Sequence, residues 1–172
     1  MIKFYADAIP KDMLRSINIE MFKAERFNIL NDERAADSNY GDSLGMASRP
    51  ESDKAFQVLT PLIKRDFEPV YGPITEENSY SRIYYNGAKL YRHIDRYGLD
   101  ITLSLCTYSD IDFDWPLMVE EGDKLHTIVT PPGSAAVILG TKYYHYRPNL
   151  ICKNGQRVIQ VFYHWKFNEE RP

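Results

Sequence analysis

The sequence contains no hydrophobic run long enough to cross a membrane as a helix, and its first residues, MIKFYADAIPKDML, lack the apolar stretch of a signal peptide. A cytoplasmic location with no membrane partner is therefore the expectation. Cysteine is scarce. Cys106 and Cys152 are the two in 172 residues, and their spacing fits no metal motif, so free thiols are expected in place of a disulfide framework. Charge of one sign is not in excess. Lys and Arg number 21 against 24 Asp and Glu, a formal net charge of −3, which gives no general attraction to nucleic acid or to an acidic membrane surface. Internal repeats and low-complexity tracts are also missing, and nothing in the sequence indicates an oligomeric state.

What is present is a chain long enough to bury a substantial core, with 44% hydrophobic and 26% charged residues and 13 tyrosines. One domain over 1–172 is expected, with helical support and a loop over 1–78 and a β core over 79–166. Pro10 stands where a helix can begin, and Met13, Leu14, Ile17, Met21 and Phe22 recur at helical spacing. A short strand is predicted at Arg26 to Leu30. Residues 31–50 are rich in Asn, Asp, Ser and Gly and predict a long loop, placed to close over a substrate. A second helix is predicted from about Ser52 to Phe67, with Pro61 marking a kink or an early end. From Ser79 the pattern changes to short apolar or alternating runs between turns: 80–85, 90–95, 99–107, 115–119, 125–130, 135–139, 143–146 and 157–165. Eight such strands with no helix between them predict a mainly β fold with N-terminal helices, its core a double-stranded β-helix (jelly roll) of about eight antiparallel strands.

The fragment YRHIDRYG places His93 and Asp95 two positions apart. Residues i and i+2 of a strand share a face, so the imidazole and the carboxylate project together. Two histidines and one carboxylate on one side of a metal leave positions open for a cosubstrate and oxygen, the non-haem iron(II) arrangement. The third ligand must come from a distant strand. His126 leaves 30 residues after Asp95, room for two or three strands, whereas His145 leaves 49, room for the four that a jelly roll requires. His164 has the opposite parity to Arg157, Ile159, Val161 and Tyr163 and is expected to face away from them. His145 is therefore the expected third ligand, with His126 and His164 structural or at the surface. A dicarboxylate chelating iron at one end needs a cation at the other, and arginine's planar fork matches a carboxylate. Arg157, opening the last strand, and Arg147, on the face of His145, are the two candidates. Tyr91, Leu103, Val161 and Trp165 are expected to line the pocket.

The order of HxD, a distal histidine about fifty residues on and Gly-x-Arg on the last strand resembles the iron(II)/2-oxoglutarate-dependent oxygenase superfamily. The stretch YYNGAKLYRHID resembles its prolyl 4-hydroxylase-like branch. The resemblance spans roughly residues 80–165. It implies iron(II) held by His93, Asp95 and His145, 2-oxoglutarate as cosubstrate with Arg157 on its C5 carboxylate and a hydroxyl from Tyr84 or Tyr85, and ascorbate. It implies hydroxylation of an amino-acid side chain, such as a prolyl residue in a peptide or protein, or of a small molecule, with release of succinate and CO2. Arginine occurs in the last strand only at its start, unlike the DNA-repair branch, so no nucleic-acid partner is expected. Two alternatives stand beside this. One is a cupin-like metal protein without 2-oxoglutarate, although the HxH pair usual in cupins is missing here. The other is a barrel that binds a partner and catalyses nothing.

Overall fold

The computed structural model describes residues 1–31 and 35–168. Strand β1 (Lys3–Tyr5) leads into helix α1 (Lys11–Leu30), then β2 (Ala35–Asp37), β3 (Gly41–Ala47), α2 (Pro50–Lys54) and α3 (Phe56–Tyr71). The remaining chain is β4 (Ile74–Tyr84), β5 (Leu90–His93), β6 (Ile101–Ser109), β7 (Leu117–Glu121), β8 (Lys124–Ile128), β9 (Ala135–Ile138), β10 (Tyr144–Arg147) and β11 (Val158–Phe167). Each of the eight strands expected after Ser79 has its counterpart. A seven-stranded sheet has the order β1-β9-β6-β11-β4-β3-β2, and a four-stranded sheet the order β5-β10-β7-β8. Every pairing is antiparallel. Strands adjacent in sequence repeatedly enter different sheets, which is the jelly-roll crossing pattern. No described helix is long and apolar enough to cross a membrane.

The N-terminal third departs from expectation in three places. The predicted strand at Arg26 to Leu30 is the last part of α1. Its helical stripe runs on through polar residues that find partners: Asn28 Nδ2 donates to the Ala24 carbonyl at 2.8 Å, and Glu25 accepts from the Tyr85 hydroxyl at 2.9 Å. Period counting over apolar residues alone misses such a turn. The segment 31–50 is not one long loop. β2 and β3 form a hairpin, and β3 pairs with β4 from Ser43↔Tyr84 to Ala47↔Tyr80, so much of it is paired into the large sheet. Residues 32–34 of that segment lie outside the described residues. Pro61 does not end its helix. The break falls instead at Ala55, and Pro61 sits inside α3 on its exposed side, where the missing amide hydrogen bond leaves no buried carbonyl.

The main core lies between the helices and one face of the large sheet. Ile17 and Met21 of α1 and Leu59, Ile63 and Phe67 of α3 pack on Ile83, Leu103, Ile159, Val161, Tyr163 and Trp165, nearly all fully buried. Each such side chain contributes roughly 1.5–3 kcal/mol through burial. The opposite face of the large sheet looks toward the small sheet. Two smaller clusters close the ends of that space: Leu90, Leu117, Val119, Ala136 and Ile138 in one, and Tyr84, Ala88, Cys106, Trp115, Leu150 and Val158 in the other.

Candidate metal centre and cavity

β5 and β10 are neighbours in the small sheet, with His145 directly opposite His93. Asp95 lies just past the end of β5, where its amide still donates to the Gly140 carbonyl at 2.9 Å, so the strand-like alternation continues through it. The three side chains converge. Asp95 Oδ1 is 3.4 Å from His93 Nε2 and 3.6 Å from His145 Nε2, and one donor atom from each residue lies within 4.8 Å of the others.

Both imidazoles are held in one tautomer. His93 Nδ1 lies 2.8 Å from the Tyr91 carbonyl and His145 Nδ1 lies 3.0 Å from the Tyr143 carbonyl. A carbonyl can only accept, so Nδ1 carries the hydrogen and Nε2 presents its lone pair to the centre. The Tyr91 ring stacks on His93 with centroids 4.3 Å apart. Thr102 Oγ1 donates to Asp95 Oδ2 at 2.5 Å and orients the carboxylate. Gly140 makes this possible, because any Cβ there would collide with Asp95 Oδ2 and stand 2.5 Å from Thr102 Oγ1.

Burial alone would raise the Asp95 carboxyl, but in the metal-free centre hydrogen bonding from the imidazolium form of His93, the charge of the imidazolium form of His145, the Thr102 hydroxyl and the charge of His164 outweigh it and hold it below its ordinary value. Burial pushes His145 below the usual histidine range, against the pull of Asp95. Near neutral pH the centre therefore offers one carboxylate and a neutral imidazole at His145, which suits a divalent cation.

The three residues open into a cavity of about 310 Å³ between the sheets. Its large-sheet wall alternates with the helix-packed core: Asn78, Tyr80, Arg82 and Tyr84 from β4, Thr102 and Ser104 from β6, and Phe162 and His164 from β11. The pocket lining predicted from the sequence is thus corrected. Leu103, Val161 and Trp165 have the opposite parity and belong to the helix-side core. Tyr91 is 36% exposed and acts as a stacking partner of His93.

The four residues expected around a cosubstrate divide in the same way. Tyr85 and Arg157 face the helices. Arg157 pairs with Glu25 at 3.4 Å, and its guanidinium carbon lies 5.2 Å from the Phe22 ring centroid; Glu25 in turn holds the Tyr85 hydroxyl. Neither residue lines the cavity of the triad. Tyr84 lines it, fully buried, with a hydroxyl that has no hydrogen-bond partner. Burial raises that phenol to about 12, although Arg147 and Arg82 pull it down.

Arg147 does not itself line the cavity but lies behind its wall residue Ser104: it is 2% exposed, donates to the Trp115 carbonyl at 2.9 Å and to Ser104 Oγ at 3.4 Å, and leaves its Nε without a hydrogen bond, as Arg157 does. No carboxylate among the described residues pairs with Arg147. Burial lowers this guanidinium, as expected of a cation without a counter-ion.

Of the two histidines set aside, His126 contacts Glu121 on the small sheet at 3.1 Å. His164 does face away from Ile159 and Val161, but the side it faces is the cavity. It lies there 7% exposed, its Nδ1 2.7 Å from Asn78 Oδ1. Arg82 was not singled out from the sequence at all. The signal that could have found both is the scatter of polar residues on one parity of β4, β6 and β11.

No family model matches the chain, and no curated protein matches it by sequence. Solved structures do. A prolyl-4-hydroxylase from Pseudomonas putida superposes with a TM-score of 0.68 at 15% identity, over 96% of this chain and 91% of that one. A Trichoplax adhaerens prolyl hydroxylase, solved with a fragment of the hypoxia inducible factor oxygen degradation domain, gives 0.68 at 12% identity over 96% and 83%. HygX from Streptomyces hygroscopicus, solved with nickel, 2-oxoglutarate and hygromycin B, gives 0.67 at 10% identity over 97% and 83%. The chain has the jelly-roll fold of the 2-oxoglutarate/iron(II) oxygenases, in the form that the prolyl hydroxylases share.

Proposed function

We propose that the protein is an iron(II)- and 2-oxoglutarate-dependent oxygenase that hydroxylates an aliphatic carbon of an amino-acid side chain. One observation carries this: two Nε2 lone pairs and one carboxylate converge on the wall of a cavity that Tyr84 lines with an unpartnered hydroxyl, with Arg147 buried behind it without a counter-ion among the described residues. His93, Asp95 and His145 would hold iron(II). The bound metal and cosubstrate supply the oxidation, with one oxygen atom entering the substrate and the other the succinate formed as CO2 leaves.

The chain's own part is to hold the centre in place and keep water out. The Tyr91 and Tyr143 carbonyls fix the imidazoles, Thr102 fixes Asp95, and Leu90, Leu117, Ala136 and Ile138 keep the cavity wall apolar beside the metal. The far carboxylate of 2-oxoglutarate is assigned to Arg147, with Tyr84 donating its free hydroxyl. Arg147 lies two residues beyond His145 on β10, a rise of about 7 Å along the strand, comparable to the span of a five-carbon diacid bound to iron at one end. A buried guanidinium with an unpaired Nε is satisfied by a carboxylate at that depth. Arg157 and Tyr85, spent on Glu25, are not available for it. Prolyl hydroxylation is the chemistry named for the Pseudomonas and Trichoplax neighbours, and a prolyl residue in a peptide or protein is accordingly the first substrate to try.

The test is an anaerobic titration with iron(II) and 2-oxoglutarate, followed by the weak visible charge-transfer band and then by succinate release in air. The band should form in the wild type and fail in His93→Ala. A wild-type chain that binds neither ligand leaves the non-catalytic barrel as the reading. One that binds iron and ignores 2-oxoglutarate supports the cupin-like alternative.

A further inference from the structure

We infer that the substrate carries an anionic group, a carboxylate or a phosphate, and that Arg82 receives it; this rests on the oxygenase reading of the same cavity. Arg82 projects from β4 into the cavity and is 9% exposed. Its guanidinium is held on several sides. Nη1 donates to Ser43 Oγ at 2.8 Å and Nη2 to the Tyr80 hydroxyl at 3.0 Å, while the Tyr40 ring centroid lies 3.5 Å from the guanidinium carbon. These contacts fix the planar fork without neutralising it, since no carboxylate among the described residues pairs with Arg82.

The neighbouring strand leaves room for this arrangement. Gly45 of β3 lies opposite Arg82, and a Cβ there would collide with the Tyr80 hydroxyl and stand 2.8 Å from Arg82 Nη2. The cage also connects to the metal end. Tyr40 packs edge-on against Tyr91 at 5.5 Å, and Tyr91 stacks on His93.

Charge counting gives the sign of the missing partner. Asp95 is the one carboxylate lining the cavity, against Arg82 in its wall and Arg147 behind Ser104; Arg96, at the rim, is exposed and screened by solvent. Iron(II) and 2-oxoglutarate bring two charges of each sign and cancel. Asp95 offsets one of the two buried arginines, and one positive charge remains. An oxyanion on the substrate removes that surplus and matches the fork bidentately. A carbon attached near such an anion then lies between Arg82 and the metal, which would make the substrate an acidic residue, a chain terminus, a free amino acid or a phosphorylated small molecule. A prolyl substrate answers Arg82 only where it lies at a chain terminus or beside an acidic side chain.

The experiment loads the protein anaerobically with iron(II) and 2-oxoglutarate and titrates three sets of probes. These are free and N-acetylated amino acids, their carboxamides, and phosphate monoesters of the corresponding alcohols. Binding is read by calorimetry and by the shift of the charge-transfer band. At least one anion should bind, with its carboxamide weaker by about tenfold or more. Whether the carboxylates or the phosphate esters bind distinguishes the two sources of the anion. Arg82→Met should abolish the preference while 2-oxoglutarate affinity stays within about twofold, and Arg82→Lys should restore part of it. Ser43→Ala, a milder change, should weaken anion binding by a smaller factor. The inference is overturned if acids and amides bind alike, if no anion binds, or if Arg82→Met loses 2-oxoglutarate itself. A wild type that forms no iron and 2-oxoglutarate complex overturns the underlying reading instead.

Discussion

The two faces of the seven-stranded sheet are made from the same strands and do opposite work. On β11, Ile159, Val161, Tyr163 and Trp165 turn toward α1 and α3, while Gln160, Phe162 and His164 turn toward the small sheet. β6 divides in the same manner, with Ile101, Leu103 and Leu105 on the helix side and Thr102 and Ser104 on the cavity side. One face is largely apolar and packs on the helices. The other carries hydroxyls, the His164 imidazole and the Arg82 guanidinium, and its buried Tyr84 hydroxyl lacks a partner. Stability and chemistry are thus separated by strand parity, and the separation can be tested residue by residue.

The largest effect should come from the cavity side. His145→Ala should eliminate iron binding and succinate formation while thermal unfolding stays cooperative; retention of either activity removes His145 from the centre. Next is the helix side. Trp165 is fully buried, with its indole N–H on Thr60 Oγ1 at 3.0 Å. Trp165→Ala should cost about 3–5 kcal/mol in chemical denaturation, with iron and 2-oxoglutarate affinity unchanged in the protein that remains folded. Loss of affinity in step with stability would show that the two faces are not independent.

The two arginines sharpen the comparison further. Arg147→Met should weaken 2-oxoglutarate by about a hundredfold, ~2–3 kcal/mol, and leave iron affinity and stability nearly unchanged, since it removes a buried charge with no carboxylate partner. Arg157→Ala should leave 2-oxoglutarate affinity alone and cost ~1 kcal/mol or less, because its pair with Glu25 is partly exposed. The reverse pattern in equilibrium binding would return the anchor to the last strand.

The smallest effect is one of pH. Burial holds both His145 and His164 below the ordinary histidine range. In the unfolded chain they take up protons near pH 6.5; in the folded, metal-free protein they do so only at lower pH. The unfolded state therefore binds more protons as pH falls below about 7, and stability falls with it. The denaturation midpoint of the metal-free protein should be lower at pH 5.5 than at pH 7.5, and His164→Gln should flatten part of that slope. A slope that His164→Gln leaves intact would assign the effect elsewhere.

The β core was legible because strand alternation is a local signal: each run from Ser79 onward sits within a few residues of its strand. The HxD pair followed from the same alternation, and His145 from how many strands must fit between two neighbours. What alternation could not supply is which parity of a strand faces inward. On β11 both parities are largely apolar or aromatic, so the expected pocket face was the one that packs on the helices, and Arg157 went with it. The end of α1 was misread because its buried face closes with Glu25 and Asn28, whose partners come from elsewhere in the fold or from the preceding turn. Arg82 escaped notice for a related reason. Its aromatic cage is assembled from β4 and the residues just before β3, about forty positions apart in sequence.

Gly140 holds a position that an assay would describe quite differently from a structure. It has no side chain, makes no contact with a ligand and sits in the turn after β9, yet any substituent there is driven into the oxygen of Asp95. In a saturation screen scored on turnover it would rank with the histidines. A substituent would also meet the Leu99 carbonyl at 2.9 Å, so folding is destabilised as well. A position lethal for activity is usually assigned to the reacting groups; here it would mark an empty volume that the carboxylate requires.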